Sequence, residues 1–117
     1  GYEDGAKTIN PDIDVQTAWT NSFVDTQLAQ EAAKAMIENG ADVIKHCANA
    51  CGNGAMSAAV DANIWCQGDS YDQSSLAPNN ILDSAIYNLD VVLDKAIESV
   101  VEGSFSGDVY NLWQMVL

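Results

Sequence analysis

Short apolar runs separated by stretches of helical length set the tightest limit on what this chain can become. Ala41 to Cys47, centred on Val43-Ile44, and Ile64 to Gln67 each read as a buried strand. Ile13 to Trp19 alternates Ile13, Val15, Thr17 and Trp19 against Asp14, Gln16 and Ala18, and reads as a further strand. Between and around these lie helical patterns. Tyr2 to Ile9 has the look of the last turns of a helix, ended by Asn10-Pro11-Asp12. Asp25 is suited to cap a helix running to about Asn39, with Leu28, Ala32, Ala35 and Met36 as its stripe and Gly40 after its end. Ala48 to Gly54 reads as a small-residue loop and Ala55 to Ala62 as helix. Ile81-Leu82 is a short extended piece, Leu89 to Glu102 the clearest amphipathic helix, and Val109 to Leu117 a final strand.

The resulting order, α-β-α-β-α-β-(β)-α-β, predicts an α/β fold: a parallel sheet covered by helices on both faces and joined by right-handed crossovers. In such sheets ligands sit beyond the carboxyl ends of the strands. The loops at Asn21-Ser22-Phe23, Asn49 to Gly54 and Asp69 to Gln73 then fall on one edge. The third is the richest. Gly68-Asp69-Ser70-Tyr71-Asp72-Gln73-Ser74-Ser75-Leu76-Ala77-Pro78 crowds carboxylates, an amide and hydroxyls at a strand end, chemistry suited to a polyhydroxylated small molecule. The same residue types also make ordinary turns.

Composition narrows the function classes. Seventeen acidic against four basic residues give a formal charge of -13, which argues against nucleic acid or anionic membrane as a partner, because few cations exist to neutralise phosphate. A hydrophobic fraction of 48% over 117 residues is enough for one domain with a core. No apolar run reaches the length of a membrane span. The chain opens at Gly1 rather than Met and carries no visible signal peptide, which suggests a processed or partial sequence. Cys47, Cys51 and Cys66 are too few for a disulfide framework.

Several stretches resemble the basic membrane protein family of bacterial substrate-binding lipoproteins, which includes purine nucleoside receptors. They are Asn10-Pro11-Asp12-Ile13-Asp14-Val15, Ser22-Phe23-Val24-Asp25, Gly40-Ala41-Asp42-Val43-Ile44, Gly52-Asn53-Gly54, Asp72-Gln73-Ser74-Ser75-Leu76-Ala77-Pro78 with Asn80-Ile81-Leu82, and Leu89-Asp90-Val91-Val92 on to Val101-Glu102-Gly103-Ser104-Phe105. They follow the family's order over nearly the whole chain, and the Asp-Gln-Ser-Ser-Leu-Ala-Pro run is the most specific.

The resemblance implies a type I periplasmic-binding-protein-like fold. Residues 1–117 would form most of the C-terminal lobe, a single three-layer domain lacking its first strand. A nucleoside would bind in the cleft against a missing N-terminal lobe and pass to the permease of an ABC transporter. The full-length protein would be a lipoprotein, extracytoplasmic and anchored to the membrane, with no cofactor. The strand expected at Ile13–Trp19 would lack its natural neighbour, leaving unpaired edges on it and on the Val43–Cys47 strand and favouring self-association.

The family's site maps onto particular residues. Phe23 falls where it stacks an aromatic on the purine, with a core aromatic as the plainer alternative. Gly52 and Gly54 match its glycine loop, although Asn49-Ala50-Cys51 departs from the usual residues before it. The family places a ribose-binding aspartate two residues before Asp72. That position is Ser70 here, with an acid displaced to Asp69. Tyr87 stands where a lysine is frequent. A carboxylate accepting hydroxyls makes stronger bonds than a serine can, so the ligand is expected to depart from a standard purine nucleoside.

Other chemistry has less behind it. His46, Cys47 and Cys51 could in principle hold a metal, but adjacent strand residues point to opposite faces and no second ligand pair follows. A Cys/His hydrolase lacks an identifiable orienting group and oxyanion site, so the chain is not expected to be an enzyme. The rivals are a ligand-independent interaction module that dimerises and a small α/β enzyme built on the acidic loop.

Overall fold

The computed structural model describes residues 1–107, and the strand expected over Val109–Leu117 lies outside them. Two compact units divide the chain, Gly1–Ala85 and Ile86–Leu117.

In the first unit the helix α1 covers Tyr2–Ile9 and α2 covers Thr26–Glu38. Strand β1 (Val43–Lys45) leads through a 3-10 turn at Asn49–Cys51 into α3 (Gly52–Asp61), followed by β2 (Trp65–Ser70), a second 3-10 turn at Ser74–Leu76, and β3 (Ile81–Ile86). The sheet order is β1-β2-β3. Strands β1 and β2 pair in parallel with Ile44 opposite Cys66 and Lys45 opposite Gln67. The parallel α/β class read from the alternation therefore holds.

Alternation along the strands sorts the two faces. Ile44 and Cys66 join Ala29 and Ala33 of α2 and Ala55, Met56, Ala58 and Ala59 of α3 in one buried cluster. Helix α3 lies against β1 and β2, and α2 packs on α3. On the opposite face the Tyr2 hydroxyl of α1 donates to the Gln67 side chain. Burial there, with the Asp83 carboxylate nearby, pushes the Tyr2 phenol above its ordinary pKa. The core is built largely from alanine, cysteine and methionine rather than bulky aliphatics. Small side chains of this kind let α2 and α3 approach closely.

Helix α2 starts where its cap demands. The Asp25 carboxylate accepts from the Gln27 and Leu28 amides at 3.1 and 3.2 Å, satisfying donors that have no partner inside the helix. The second unit holds α4, Leu89–Val101, which buries none of its residues.

The expected strand at Ile13–Trp19 is corrected: residues 13–20 have no regular secondary structure. Trp19 is 85% exposed, and the Gln16 amide donates to the Asn39 carbonyl at the end of α2 (3.3 Å) instead of joining a ladder. Other boundaries move as well: β3 runs from Ile81 to Ile86 rather than over Ile81-Leu82 alone, and β1 covers only Val43–Lys45. Helix α3 begins at Gly52 rather than Ala55, and β2 runs on through Asp69 to Ser70 rather than stopping at Gln67.

Candidate functional site

The carboxyl ends of β1 and β2 carry a dense polar network. Lys45, the last residue of β1, has three ammonium protons and places each one: on the His46 carbonyl (2.9 Å), the Gly68 carbonyl (2.8 Å) and Asp69 Oδ1 (2.9 Å). The Lys45 and Asp69 side chains are only 12% and 10% exposed. The remaining Asp69 oxygen accepts from the Ser70 hydroxyl at 2.9 Å, and the Cys47 thiol lies 3.6 Å from Oδ1. Burial pushes the Cys47 thiol up in pKa, Lys45 pulls it down, and Asp69 pushes it up again.

On the other face of the same strand ends, His46 is buried. Gln73 Oε1 accepts from the Asp69 amide at 2.8 Å. A backbone N–H can only donate, so this oxygen is an acceptor, and His46 Nε2 at 3.0 Å must carry the proton it shares with Gln73. His46 Nδ1 is then an unprotonated lone pair, buried without a partner. Burial lowers the His46 pKa, the Gln73 bond opposes that, Lys45 lowers it further and Asp69 raises it. The Gln73 backbone amide donates to the Ser84 hydroxyl of β3 at 3.1 Å, so the loop after β2 is tied to β2, to β3 and to His46, the residue that follows β1.

The expected glycine loop is filled from inside the protein. A Cβ on Gly52 would sit 2.0 Å from His46 Nδ1, and one on Gly54 would sit 1.8 Å from the Thr26 carbonyl oxygen. The missing side chains admit the His46 ring and the start of α2, so both glycines lie in the first turn of a helix where propensity alone would not put them.

Phe23 stands apart from this packing. Its side chain is 70% exposed, while its carbonyl accepts from the Cys51 amide at 3.0 Å. The Cys51 thiol, fully buried, donates to the Asp25 carbonyl at 2.9 Å. Cys51 thus fastens the loop that carries Phe23 to the turn before α3, a role that its spacing from Cys47 did not announce. Asp72 is exposed, and the Ser74 amide (2.9 Å) and hydroxyl hold its carboxyl below the usual range. Tyr87 belongs to the second unit, half exposed, its carbonyl accepting from the Leu89 amide.

The first unit therefore brings Asp69 and Ser70 into direct contact, packs Gly52 against the neighbouring His46, and presents Phe23 and Asp72 to solvent. Lys45 was not among the expected site residues, His46 was considered only as a metal ligand, and Gln73 only as the amide of the polar loop. The signal for Lys45 was a single cation at the end of one apolar strand facing a single acid at the end of the next.

A chain with this sheet and these strand ends has known relatives. A family described as ABC transporter substrate-binding protein PnrA-like matches residues 1–113. Basic membrane protein B of Borreliella afzelii is 34% identical over 97% of this chain and 32% of its own length. A Haloferax volcanii protein with the name "Putative ABC transporter glucose-binding protein" is 32% identical over 91% of this chain and 27% of its own length. Among solved structures, an ABC transporter solute-binding protein from Aeropyrum pernix superposes with a TM-score of 0.68 at 27% identity, over 95% of this chain and 31% of that one. The chain spans about a third or less of these relatives. By that match over nearly all of its residues, the chain belongs to the PnrA-like family of ABC transporter substrate-binding proteins.

Proposed function

We propose that this chain forms most of the C-terminal lobe of the substrate-binding component of an ABC-type importer and supplies one wall of a cleft for a nucleoside, with a purine base against Phe23. The observation that carries this reading is an exposed aromatic on a backbone pinned at the Cys51 amide, at the loop edge of the sheet. A solvent-facing ring on an anchored backbone suits a stacking platform, and stacking of this kind contributes about 1–3 kcal/mol. Asp72 and Ser70, both exposed at the end of β2, supply acceptors for ligand hydroxyls. Asp69 acts behind them through its bonds to Lys45 and Ser70. The partners are an N-terminal lobe and a permease; the protein works outside the cytoplasm, lipid-anchored, as a binder rather than an enzyme.

A second reading has its own support. The Haloferax relative is named for glucose, and an aromatic ring beside hydroxyl-binding groups also suits a hexose. Calorimetric titration of the full-length protein with purine nucleosides, pyrimidine nucleosides, free bases and glucose separates the two. Purine nucleosides are expected to bind most tightly. Heat with glucose alone would replace the nucleoside by a sugar, and silence toward every nucleoside and base would sink the nucleoside reading.

A further inference from the structure

At the end of β2 two polar side chains stand next to each other, and only one of them faces outward. Asp69 is turned in. Its Oδ1 is taken by Lys45 Nζ (2.9 Å) and approached by the Cys47 thiol (3.6 Å), and its Oδ2 by the Ser70 hydroxyl (2.9 Å). Lys45 has no proton left for a ligand, because its other two lie on the His46 and Gly68 carbonyls. Ser70 is exposed and holds φ at +71°, a left-handed conformation that costs a non-glycine residue energy and persists where surrounding bonds enforce it. Its hydroxyl proton goes to Asp69, so its lone pairs remain as acceptors.

We infer that Lys45 determines ligand specificity as a positioning residue: by engaging the Asp69 carboxylate it leaves the Ser70 hydroxyl, as a neutral acceptor, to meet a hydroxyl group of the ligand. The inference rests on the reading of this edge as a ligand site. A neutral acceptor forms a bond roughly half as strong as a carboxylate does. The site therefore favours hydroxylated ligands over deoxy ones only modestly, and Lys45 sets that level.

The test is a hydroxyl-deletion series on the full-length protein, comparing adenosine with 2′-deoxyadenosine and 3′-deoxyadenosine by calorimetry. The unmodified protein should prefer adenosine over one of the two by about tenfold, the worth of one neutral hydrogen bond. Ser70→Ala should bring that ratio close to one. Lys45→Met releases the carboxylate toward the ligand and should raise the ratio by about another tenfold, whereas Lys45→Arg should keep the unmodified value. Adding Asp69→Asn to Lys45→Met should return the ratio to its unmodified value. That double variant removes the buried charge, so it also serves if Lys45→Met does not fold. A purely structural role for Lys45 would move the melting temperature in these variants but not the ratio.

Loss of the preference in the double variant would mean that Asp69 itself meets the hydroxyl, and would overturn the inference, as would a full preference in Ser70→Ala. If the protein binds glucose and not nucleosides, the same pattern across the deoxyglucoses supports the role of Lys45 while the nucleoside reading falls. Binding of neither overturns both.

Discussion

Residues 13–20 and the end of β2 at Gly68-Asp69-Ser70 present opposite cases. The first has the better strand pattern, four alternating β-prone residues, and forms no strand. The second holds a glycine, a carboxylate and a serine, poor strand formers all, and still belongs to β2. The difference lies in partners. In residues 13–20, Trp19 stays in solvent and the Gln16 amide bonds to the end of α2. Asp69 has Lys45 from β1 on its carboxylate and Gln73 on its amide. A strand is a shared structure, and alternation along one segment does not supply the neighbouring ladder.

The comparison breaks first at Lys45. Lys45→Met takes the cation away from the buried Asp69 carboxylate, and removal of one partner from a buried ion pair costs about 3–5 kcal/mol. Urea unfolding should show a loss of this size, partly recovered by adding Asp69→Asn. A change below about 1 kcal/mol, the range of a surface pair, would show that the network does not hold the strand ends.

Next is Gly54→Ala. Replacing glycine inside a helix usually stabilises by close to 1 kcal/mol. Here the added Cβ meets the Thr26 carbonyl, which cannot move without displacing α2, so the sign should reverse to a loss of about 1–3 kcal/mol. A stabilised variant would contradict the close approach of the two helices.

His46 gives a smaller, pH-dependent effect. Its folded pKa lies below the unfolded value of 6.5, chiefly because it is buried. Between those two values the unfolded chain binds more protons than the folded one, so stability is complete above about pH 6.5 and falls as the pH drops from there through the folded pKa. Urea midpoints of the unmodified protein should decline over that window relative to His46→Gln. Parallel curves for the two proteins would remove His46 as the cause.

The smallest effect belongs to the exposed segment. Trp19→Ser should change stability by less than about 0.5 kcal/mol, and the amides of residues 13–19 should exchange quickly while those of Ile44 and Cys66 exchange slowly. Slow exchange across 13–19 would restore the strand.

These contrasts also mark what the sequence could tell. The alternation of Val43-Ile44 and Ile64-Trp65-Cys66 with helical segments was legible, since each pattern is local and was confirmed by burial of Ile44 and Cys66. The caps were legible for the same reason, Asp25 above all. The start of α3 was not. Gly52-Asn53-Gly54 reads as loop by propensity, and only the His46 ring and the α2 backbone, distant in sequence, make it helix. The acidic loop could be read from its polar density at a strand end and Phe23 from resemblance, whereas Lys45 is unremarkable until β1 and β2 are set side by side. Its importance comes from register, which one strand alone does not reveal.

Phe23 offers the most direct measurement. It is the exposed aromatic on the pinned loop, so its role in ligand binding separates cleanly from a role in packing. In the full-length protein, Phe23→Ala should weaken nucleoside binding by about 1–3 kcal/mol in calorimetry and leave the melting temperature nearly unchanged. A large fall in melting temperature with unaltered affinity would show that the ring is structural and that the ligand binds elsewhere.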